Sequence, residues 1–381
     1  MTAAASAPSL ESSADDIFTQ RRQRGRWLAI GLAALLLLTS IISIGSGALG
    51  IPPARVLDVL HGLAIGDAEL SSSRDALVIA AIRLPRLCLG VLVGAALAVA
   101  GALMQGLFRN PLADPGLVGT SAGAAVAAGA TIVLGDRYAA AMIGKTPFAL
   151  LPIGAFVGAL ISTFVLYLIA TRKGRTSIAT MLLAGVALAA LASAGMGLLA
   201  YVSDDRQLRD LTFWTLGGLG GASWTKVISI APIVLLSLSA TPFLTRGLNA
   251  LLLGEAEAFH LGLPVQRIKI AAILVTALLV GSSVAAAGVV SFVGIVVPHV
   301  LRMLIGPDHR TLLPLSAMLG AAGLAVLALV QAEEDVVLVV AHCCAIVGSA
   351  SRATCGMGMR IRSELGHEHS RRAWACSGRA Q

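Results

Sequence analysis

The fold is decided by two apolar runs that a proline-containing turn joins, in VGAALAVAGALMQGLFRNPLADPGLVGTSAGA at residues 93–124. Each run is continuously apolar instead of alternating, which predicts membrane-spanning helices and not the strands of a barrel. Glycines recur four residues apart at Gly119 and Gly123, and at Gly90 and Gly94 just upstream. Because this spacing lets two helix backbones approach closely, we expect tight helix packing at these positions.

The rest of the chain has the same character. Hydrophobic residues make up 57% of its 381 residues and charged residues 13%, whereas about a quarter of a soluble domain is charged. A helical span needs about 20 apolar residues. We therefore predict an all-α polytopic membrane protein with about ten transmembrane helices, at 27–49, 86–107, 117–134, 148–170, 181–201, 227–244, 268–287, 289–305, 312–330 and, less typically, 336–350.

The composition divides the chain into three predicted parts. Residues 1–26 are expected to form a disordered basic tail, 27–330 the transmembrane domain, and 331–381 an atypical C-terminal segment. Arginines precede the first span, which places the N-terminus in the cytoplasm. A cleavable signal peptide is the alternative, but the apolar run is long and no small-residue cleavage site follows it. The net charge of +8 is then explained by the basic residues that orient the spans in the membrane. A nucleic-acid partner is not expected, since it needs a basic surface domain.

An internal repeat links two of the predicted spans. The sequences VLVGAALAVAG at 91–101 and LLVGSSVAAAG at 278–288 share their pattern of small residues. They fall in the second and seventh spans, five spans apart, so that the two helices would cross the membrane in opposite directions. This predicts the inverted internal repeat on which many transporters are built.

A polar stretch, LNALLLGEAEAFHLGLP at residues 248–264, interrupts the apolar runs. It is too short and too charged to span a bilayer. A helix over 249–261 would place five side chains on one side: Leu251, Leu252, Glu255, Ala258 and Phe259. We interpret the stretch as a surface helix onto which another protein docks. The alternative, a helix lying on lipid headgroups, is disfavoured because anionic lipids attract Lys and Arg instead of acidic residues.

Several long motifs in one order resemble a known family. They are RLPR (83–86), the stretch 93–124, LLAGVAL (182–188), FWTLGGLGGASW (213–224), the stretch 248–264 and GVVSFVGIVVPHVLRMLIGPDHRTLLPLSAMLGA (288–321). From about residue 27 to 327 the chain is similar to FecCD-type permeases of ATP-driven importers for iron–siderophore complexes, haem and vitamin B12. The resemblance implies a ten-helix subunit of a bacterial inner membrane. Its expected partners are a second permease subunit (itself or a paralogue), a cytoplasmic ATPase dimer, a substrate-binding protein and membrane lipid.

The resemblance also assigns roles to residues. Residues 248–264, hereafter the coupling segment, correspond to the part that sits in a groove of the ATPase. The matching positions are Asn249, Leu253, Gly254, Glu255, Ala258, Leu261 and Gly262. Glu255 is expected to meet a basic residue of the ATPase. The RLPR arginines, Arg83 and Arg86, are expected to face the periplasm and dock an acidic residue of the binding protein; snorkelling anchors are the alternative.

Prolines and glycines mark a predicted translocation path or gate. The residues are Asn110, Pro111, Gly119, Gly123 and Pro298. Irregular backbone within a membrane is tolerated only where it is buried in protein or lines an aqueous cavity, and a proline kinks a span. A plain connection between helices is an equal alternative for 110–111. His299 either faces a cavity or satisfies a neighbouring carbonyl.

Missing motifs limit the function. The spans hold no cluster of Cys, His or carboxylates, so we expect no metal site and no cofactor, and a free-ion transporter is disfavoured. The chain has neither an HExxH motif nor a GxxxxGK[ST] phosphate loop, so we expect a transport subunit that is not an enzyme, with ATP hydrolysis on a separate chain. Siderophore iron is the default cargo. The alternatives are haem or cobalamin cargo, or an ion-coupled secondary carrier.

The C-terminus departs from the family pattern. An acidic-Leu-Pro-Val-Gly motif and a last apolar helix are expected, but residues 331–381 begin QAEEDVVLVVAHCCAIVG. A reading frame shifted near codon 326–332 explains the simultaneous change of composition and motif. The alternatives are a divergent tail and a metal-binding tail, which would use Cys343, Cys344, Cys355, His367 and His369. A shifted frame also raises the alternative of a non-functional remnant.

Overall fold

The computed structural model describes residues 10–45, 51–65, 73–143, 147–172 and 175–330. The predicted tenth span at 336–350 and the remainder of 331–381 lie outside the described residues.

The described elements are almost all helices. Helices α1 (Leu10–Gly45), α2 (Pro53–Ile65) and α3 (Arg74–Val78) come first, and a π-helical turn (Ile79–Arg83) joins α3 to α4 (Leu84–Phe108). A 3₁₀ turn (Pro115–Val118) leads into α5 (Thr120–Ile143) and α6 (Pro147–Ala170). The short strands β1 (Thr171–Arg172) and β2 (Arg175–Thr176) pair antiparallel, with Thr171 opposite Thr176. Then follow α7 (Ile178–Val202), α8 (Asp205–Leu216), α9 (Trp224–Leu253), α10 (Glu255–His260), α11 (Val265–Ala287), α12 (Val293–Ile305) and α13 (His309–Val330).

The helices confirm the polytopic membrane architecture. Within the described residues seven helical stretches are long and apolar enough to cross a membrane: Gln23–Gly45, Arg74–Phe108, Leu150–Ala170, Ile178–Val202, Trp224–Leu253, Val265–Ala287 and His309–Leu329. Thr120–Gly135 and Val293–Ile305 are shorter apolar helices. Together these nine match the first nine predicted spans.

The second predicted span begins earlier than its sequence indicates. We expect it to start at Arg86, with Arg83 and Arg86 at its outer end, but the helical chain is continuous from Arg74 to Phe108. Pro85 has no N–H to donate to the preceding turn. The π-helical turn Ile79–Arg83 stands immediately before it, so the helix widens here instead of ending.

The two helices of the predicted repeat are the most buried of the described candidate spans. In α4 and α11 the most apolar windows are 83% and 78% buried, against 6% in α7, and α4 and α11 pack against each other. Helix α4 ends at the coupling segment, where the Arg109 guanidinium lies beside Gly254. Helix α11 begins there, with Lys269 on Glu255. The two helices therefore run in opposite directions, as the inverted repeat predicts.

Glycines bring helix backbones into contact, as the four-residue spacing predicts. A β-carbon on Gly94 of α4 would clash with the carbonyl oxygen of Gly320 in α13, and one on Gly320 would clash with that of Gly94. One turn away, a β-carbon on Gly90 would lie 3.1 Å from the carbonyl oxygen of Leu324. Side chains larger than hydrogen have no room along this line, so α4 and α13 pack backbone to backbone.

Candidate functional site

The coupling segment is a broken helix and a turn. Helix α9 ends at Leu253, Gly254 has φ 126° and ψ 158°, and α10 covers only Glu255–His260 before the chain turns at Gly262, with φ +76°. The predicted single helix over 249–261 is wrong because Gly254 adopts a conformation that only glycine reaches easily. The break aims α10 away from the axis of α9.

The segment presents a different apolar face from the one predicted. Leu251 and Ala258 are fully buried within this chain, so they hold the segment against the helices and do not meet a partner. Leu253, Phe259 and Leu261 are instead exposed, at 69%, 71% and 63%. We call these three side chains the apolar patch. Exposed apolar residues grouped in this way mark surfaces that bind other proteins or membranes.

Glu255 is engaged inside the chain. Its Oε2 atom lies 2.7 Å from Nζ of Lys269, which is almost completely buried in α11. Lys269 also donates to the carbonyl oxygen of Thr176, at 3.0 Å. Gln266 in turn accepts from the Thr176 N–H at 3.1 Å. This ion pair fixes α10 to α11 and to the β1–β2 hairpin, and the expected pairing of Glu255 with a basic residue of the ATPase stays a prediction.

This ion pair makes a testable contribution to stability. Glu255→Gln is expected to lower the free energy of unfolding by about 2 kcal/mol, because it leaves a buried ammonium group without a counter-ion. Glu255→Gln combined with Lys269→Met is expected to restore much of that loss, since both charges are then gone. Thermal unfolding of the purified variants in detergent measures both. Equal destabilisation by the single and the double variant would contradict the assignment.

The predicted gate residues Asn110 and Pro111 lie in an exposed turn beside the coupling segment. Helix α4 ends at Phe108, and Arg109 follows in the left-handed conformation, with φ 51°. The side-chain oxygen of Asn110 accepts the N–H of Leu112 at 3.0 Å, and Asp114 then caps the 3₁₀ turn. A plain connection on the surface, the alternative left open above, describes this turn best.

The other predicted gate residues lie at contacts between helices. A β-carbon on Gly123 would lie 2.5 Å from the carbonyl oxygen of Gly158, and the carbonyl of Gly119 accepts from Ser162 at 2.8 Å. Pro298 is buried in α12. The structure thus gives Gly119, Gly123 and Pro298 packing positions within this chain. Nδ1 of His299 is buried with no hydrogen-bond partner among the described residues.

The two RLPR arginines differ in accessibility. Arg83 is 8% exposed, and its guanidinium donates to the carbonyl oxygens of Ile44 and Gly45, which end α1. It therefore caps a helix C-terminus and does not present its charge to a binding protein here. Arg86 is half-buried, and its Nε donates to the Leu219 carbonyl at 3.3 Å.

Sequence reasoning misses a buried polar network next to the coupling segment. It joins Gln105 of α4, Arg302 of α12, His309 at the start of α13 and Asn249 near the end of α9, with Asp308 at its edge. The available signal is Gln105, a single polar residue in an apolar run. Asp308 and His309 are recognisable from sequence only as part of an inner polar loop, and nothing in the spacing connects them to Asn249.

Comparison with known proteins identifies the family. The model of the FecCD transport family matches residues 35–348. The chain is 42% identical over 301 residues to the hemin transport system permease protein HmuU of Yersinia pestis, covering 76% of this chain and 83% of that protein. It is 42% identical over 332 residues to the vitamin B12 import system permease protein BtuC of Klebsiella pneumoniae, covering 84% of this chain and 92% of that protein.

A solved structure agrees with the sequence comparison. A metal-chelate type ABC transporter in an inward-facing conformation superposes with a TM-score of 0.68 at 29% identity, covering 80% of this chain and 90% of that chain. The chain therefore belongs to the FecCD transport family and is the permease of an ABC importer.

Proposed function

We propose that this permease passes a bulky metal chelate of the haem or cobalamin class into the cell. The observation that carries the proposal is 42% identity to permeases named for hemin and for vitamin B12, each over more than three quarters of the relative. These names support haem and cobalamin equally, and neither supports the siderophore cargo that is the default from sequence. Ferric siderophore therefore becomes the third cargo to test.

The coupling segment is the proposed docking site of a separate ATPase dimer. The apolar patch and the exposed carboxylate of Glu257 form its outer surface. Desolvated aromatic and aliphatic side chains of this kind supply most of the binding energy in protein interfaces. The acidic rim favours a basic groove on the partner.

The orientation of the chain follows from the arginines near its N-terminus. Arg24 lines a small cavity with Arg302 and residues 303–306, and Gly25 lies beside Thr311. These contacts put the basic end of α1 on the same side of the membrane as the start of α13, which also bonds to Asn249 of the coupling segment. Because arginines flanking spans stay inside, this side is the proposed cytoplasmic side.

Two further partners belong to the proposal. Among the candidate spans that the structure describes, helix α7 is the most exposed, and its outward residues include Leu183, Leu191 and Tyr201. We assign this helix to the contact with a second permease subunit. Arg86 remains the proposed contact for a substrate-binding protein on the opposite side, because its guanidinium is partly accessible. Arg83 is not proposed for this role, since it is buried.

Uptake by cells tests the cargo. A strain without its own haem, cobalamin and siderophore permeases would express this chain together with its ATPase and binding protein. We expect accumulation of labelled haemin or cyanocobalamin well above the empty vector. A second version with a family-like last helix separates a defective C-terminus from a wrong cargo. Uptake of ferric siderophore alone, or of no chelate by either version present in the membrane, would contradict the proposal.

A further inference from the structure

We propose that Asn249, His309, Arg302 and Gln105 form a mechanical relay that carries displacement of the coupling segment to helices α4 and α12. The proposal rests on the proposed function, in which ATP binding by the docked ATPase moves that segment. Of the four residues only Asn249 belongs to the coupling segment, and its side chain bonds to His309 and Asp308 of this chain.

The relay begins at the end of α9. Asn249 stands five residues before Gly254, the point at which α9 breaks into α10. Its Oδ1 atom accepts two hydrogen bonds from His309, one from the backbone N–H at 2.9 Å and one involving Nδ1 at 2.8 Å. Its Nδ2 group donates to Oδ1 of Asp308 at 2.6 Å. Asn249 therefore ties α9 to the first residue of α13.

The hydrogen bonds fix the tautomer of His309. An amide oxygen only accepts, so Nδ1 carries the ring proton and Nε2 is left as an acceptor. Nε2 lies 3.4 Å from Nη2 of Arg302, which only donates. One neutral tautomer thus satisfies both neighbours, and the ring forms a directional connection between α9 and α12.

The relay continues into α4. Nε of Arg302 donates to Oε1 of Gln105 at 3.2 Å, and Nη2 of Arg302 donates to the carbonyl oxygen of Ala102 at 3.3 Å. Gln105 returns to α12 by donating from Nε2 to the carbonyl oxygen of Ile295 at 3.1 Å. Arg302 and Gln105 therefore connect α4 and α12 through side chains from both helices.

Burial makes the connection stiff. His309 is 0% exposed and Gln105 is 1% exposed. The His309 ring rests on Gly106, where a β-carbon would lie 3.0 Å from Cε1 and closer still to Nε2. A buried donor or acceptor that loses its partner is strongly disfavoured. When α9 shifts, the network therefore moves as a unit, and α4 and α12 move with it.

Matched substitutions at residue 309 separate relay from packing. His309→Leu fills the space but removes both ring hydrogen bonds, whereas His309→Gln retains one donor and one acceptor. Asn249→Ala removes the same hydrogen bonds to His309 from the α9 side, where the Asn249 side chain is only half-buried. Ser316→Ala is the control, because Ser316 is buried in the same helix α13 and its hydroxyl has no partner among the described residues.

The readout is ATP-dependent exposure at the far end of α7 and needs no cargo. Tyr201 lies there on the face of α7 assigned to the second permease subunit, so its accessibility in the complex changes when the two subunits move. Tyr201→Cys is introduced after the five native cysteines are changed to alanine. The permease–ATPase complex is reconstituted in vesicles, and alkylation by an impermeant maleimide is timed with and without ATP. We expect ATP to change the rate of alkylation in the parent complex. His309→Leu and Asn249→Ala are expected to reduce that ATP-dependent change by about tenfold. His309→Gln and Ser316→Ala are expected to preserve it.

Each result decides one question. No response to ATP in the parent complex would refute the proposed ATP-driven function, and the relay with it. A normal ATP response in His309→Leu and Asn249→Ala would overturn the relay alone. Equal loss in the His309→Leu and His309→Gln variants would show that the ring acts through its shape, which also overturns the relay.

Discussion

Phe259→Asp is expected to release the ATPase from the purified permease. Phe259 is 71% exposed and is the largest side chain of the apolar patch, so a carboxylate here would be buried unpaired in the docked interface. Substitutions of aromatic residues at the centre of an interface weaken binding by 2 kcal/mol or more, which corresponds to about thirtyfold or more. The measurement is the amount of ATPase that co-purifies with the tagged permease from its native membranes.

A conservative substitution controls for folding. Phe259→Leu keeps an apolar side chain at the same site and is expected to retain most of the ATPase. Because residue 259 packs little against this chain, both variants are expected to unfold at the temperature of the parent. If a folded Phe259→Asp variant co-purified with as much ATPase as the parent permease does, the apolar patch would not be the docking surface.

The second large effect is on the fold itself. Gly320→Ala is expected to destabilise the permease by about 1–3 kcal/mol, the usual effect of overpacking. Its β-carbon would lie 2.6 Å from that of Ala98 and would clash with the carbonyl oxygen of Gly94. At Gly320 the α4–α13 contact consists of backbone atoms and the β-carbon of Ala98, so no flexible side chain is available to move away. Thermal unfolding in detergent and the yield of monodisperse protein measure the effect.

Gly323→Ala is the matched control, one turn further along α13. A β-carbon at Gly323 would meet no atom within 4 Å, and alanine is the better helix former by about 1 kcal/mol. This variant is expected to be as stable as the parent or slightly more stable. Similar losses in both variants would indicate a general intolerance of α13 and would contradict backbone-to-backbone packing at Gly320.

The number of spans and their close contacts can be predicted from sequence, because the length of an apolar run and the spacing of its small residues are both properties of one short segment. Nine spans and the close contacts at Gly94 and Gly123 are predictable on this basis. The opposite directions of α4 and α11 also follow from the repeat. The start of the second span is not predictable in this way, since the π-helical turn before Pro85 depends on how α3 and α4 are held together.

The coupling segment shows where sequence pattern fails. Its location follows from charge and length, but helical periodicity groups Ala258 and Phe259 with Leu251 on one face of a single helix, whereas the chain breaks at Gly254 and α10 starts on a new axis. Within α10, Ala258 faces the rest of the chain and is buried, whereas Phe259 points about 100° away from it around the helix and is exposed. The ion pair of Glu255 with Lys269 is equally hidden from sequence, because the partner stands fourteen residues away on another helix.

The role of Glu255 illustrates the consequence for mutagenesis. From sequence alone, Glu255→Lys is expected to abolish uptake without loss of expression, by breaking a contact with the ATPase. In the structure the same change would place two ammonium groups where Nζ of Lys269 now lies 2.7 Å from a carboxylate oxygen. Loss of uptake in that variant would therefore have two explanations: displacement of α10 by charge repulsion, or loss of a contact with the ATPase.

ATP-dependent uptake by the purified system tests the proposed import function most directly. Proteoliposomes would contain this chain with its co-purifying ATPase and binding protein, supplied with labelled haemin or cyanocobalamin. We expect accumulation of one of these chelates with ATP inside the vesicles, and none with a non-hydrolysable analogue. Accumulation driven by a proton or sodium gradient without ATP would contradict it and would identify an ion-coupled carrier instead.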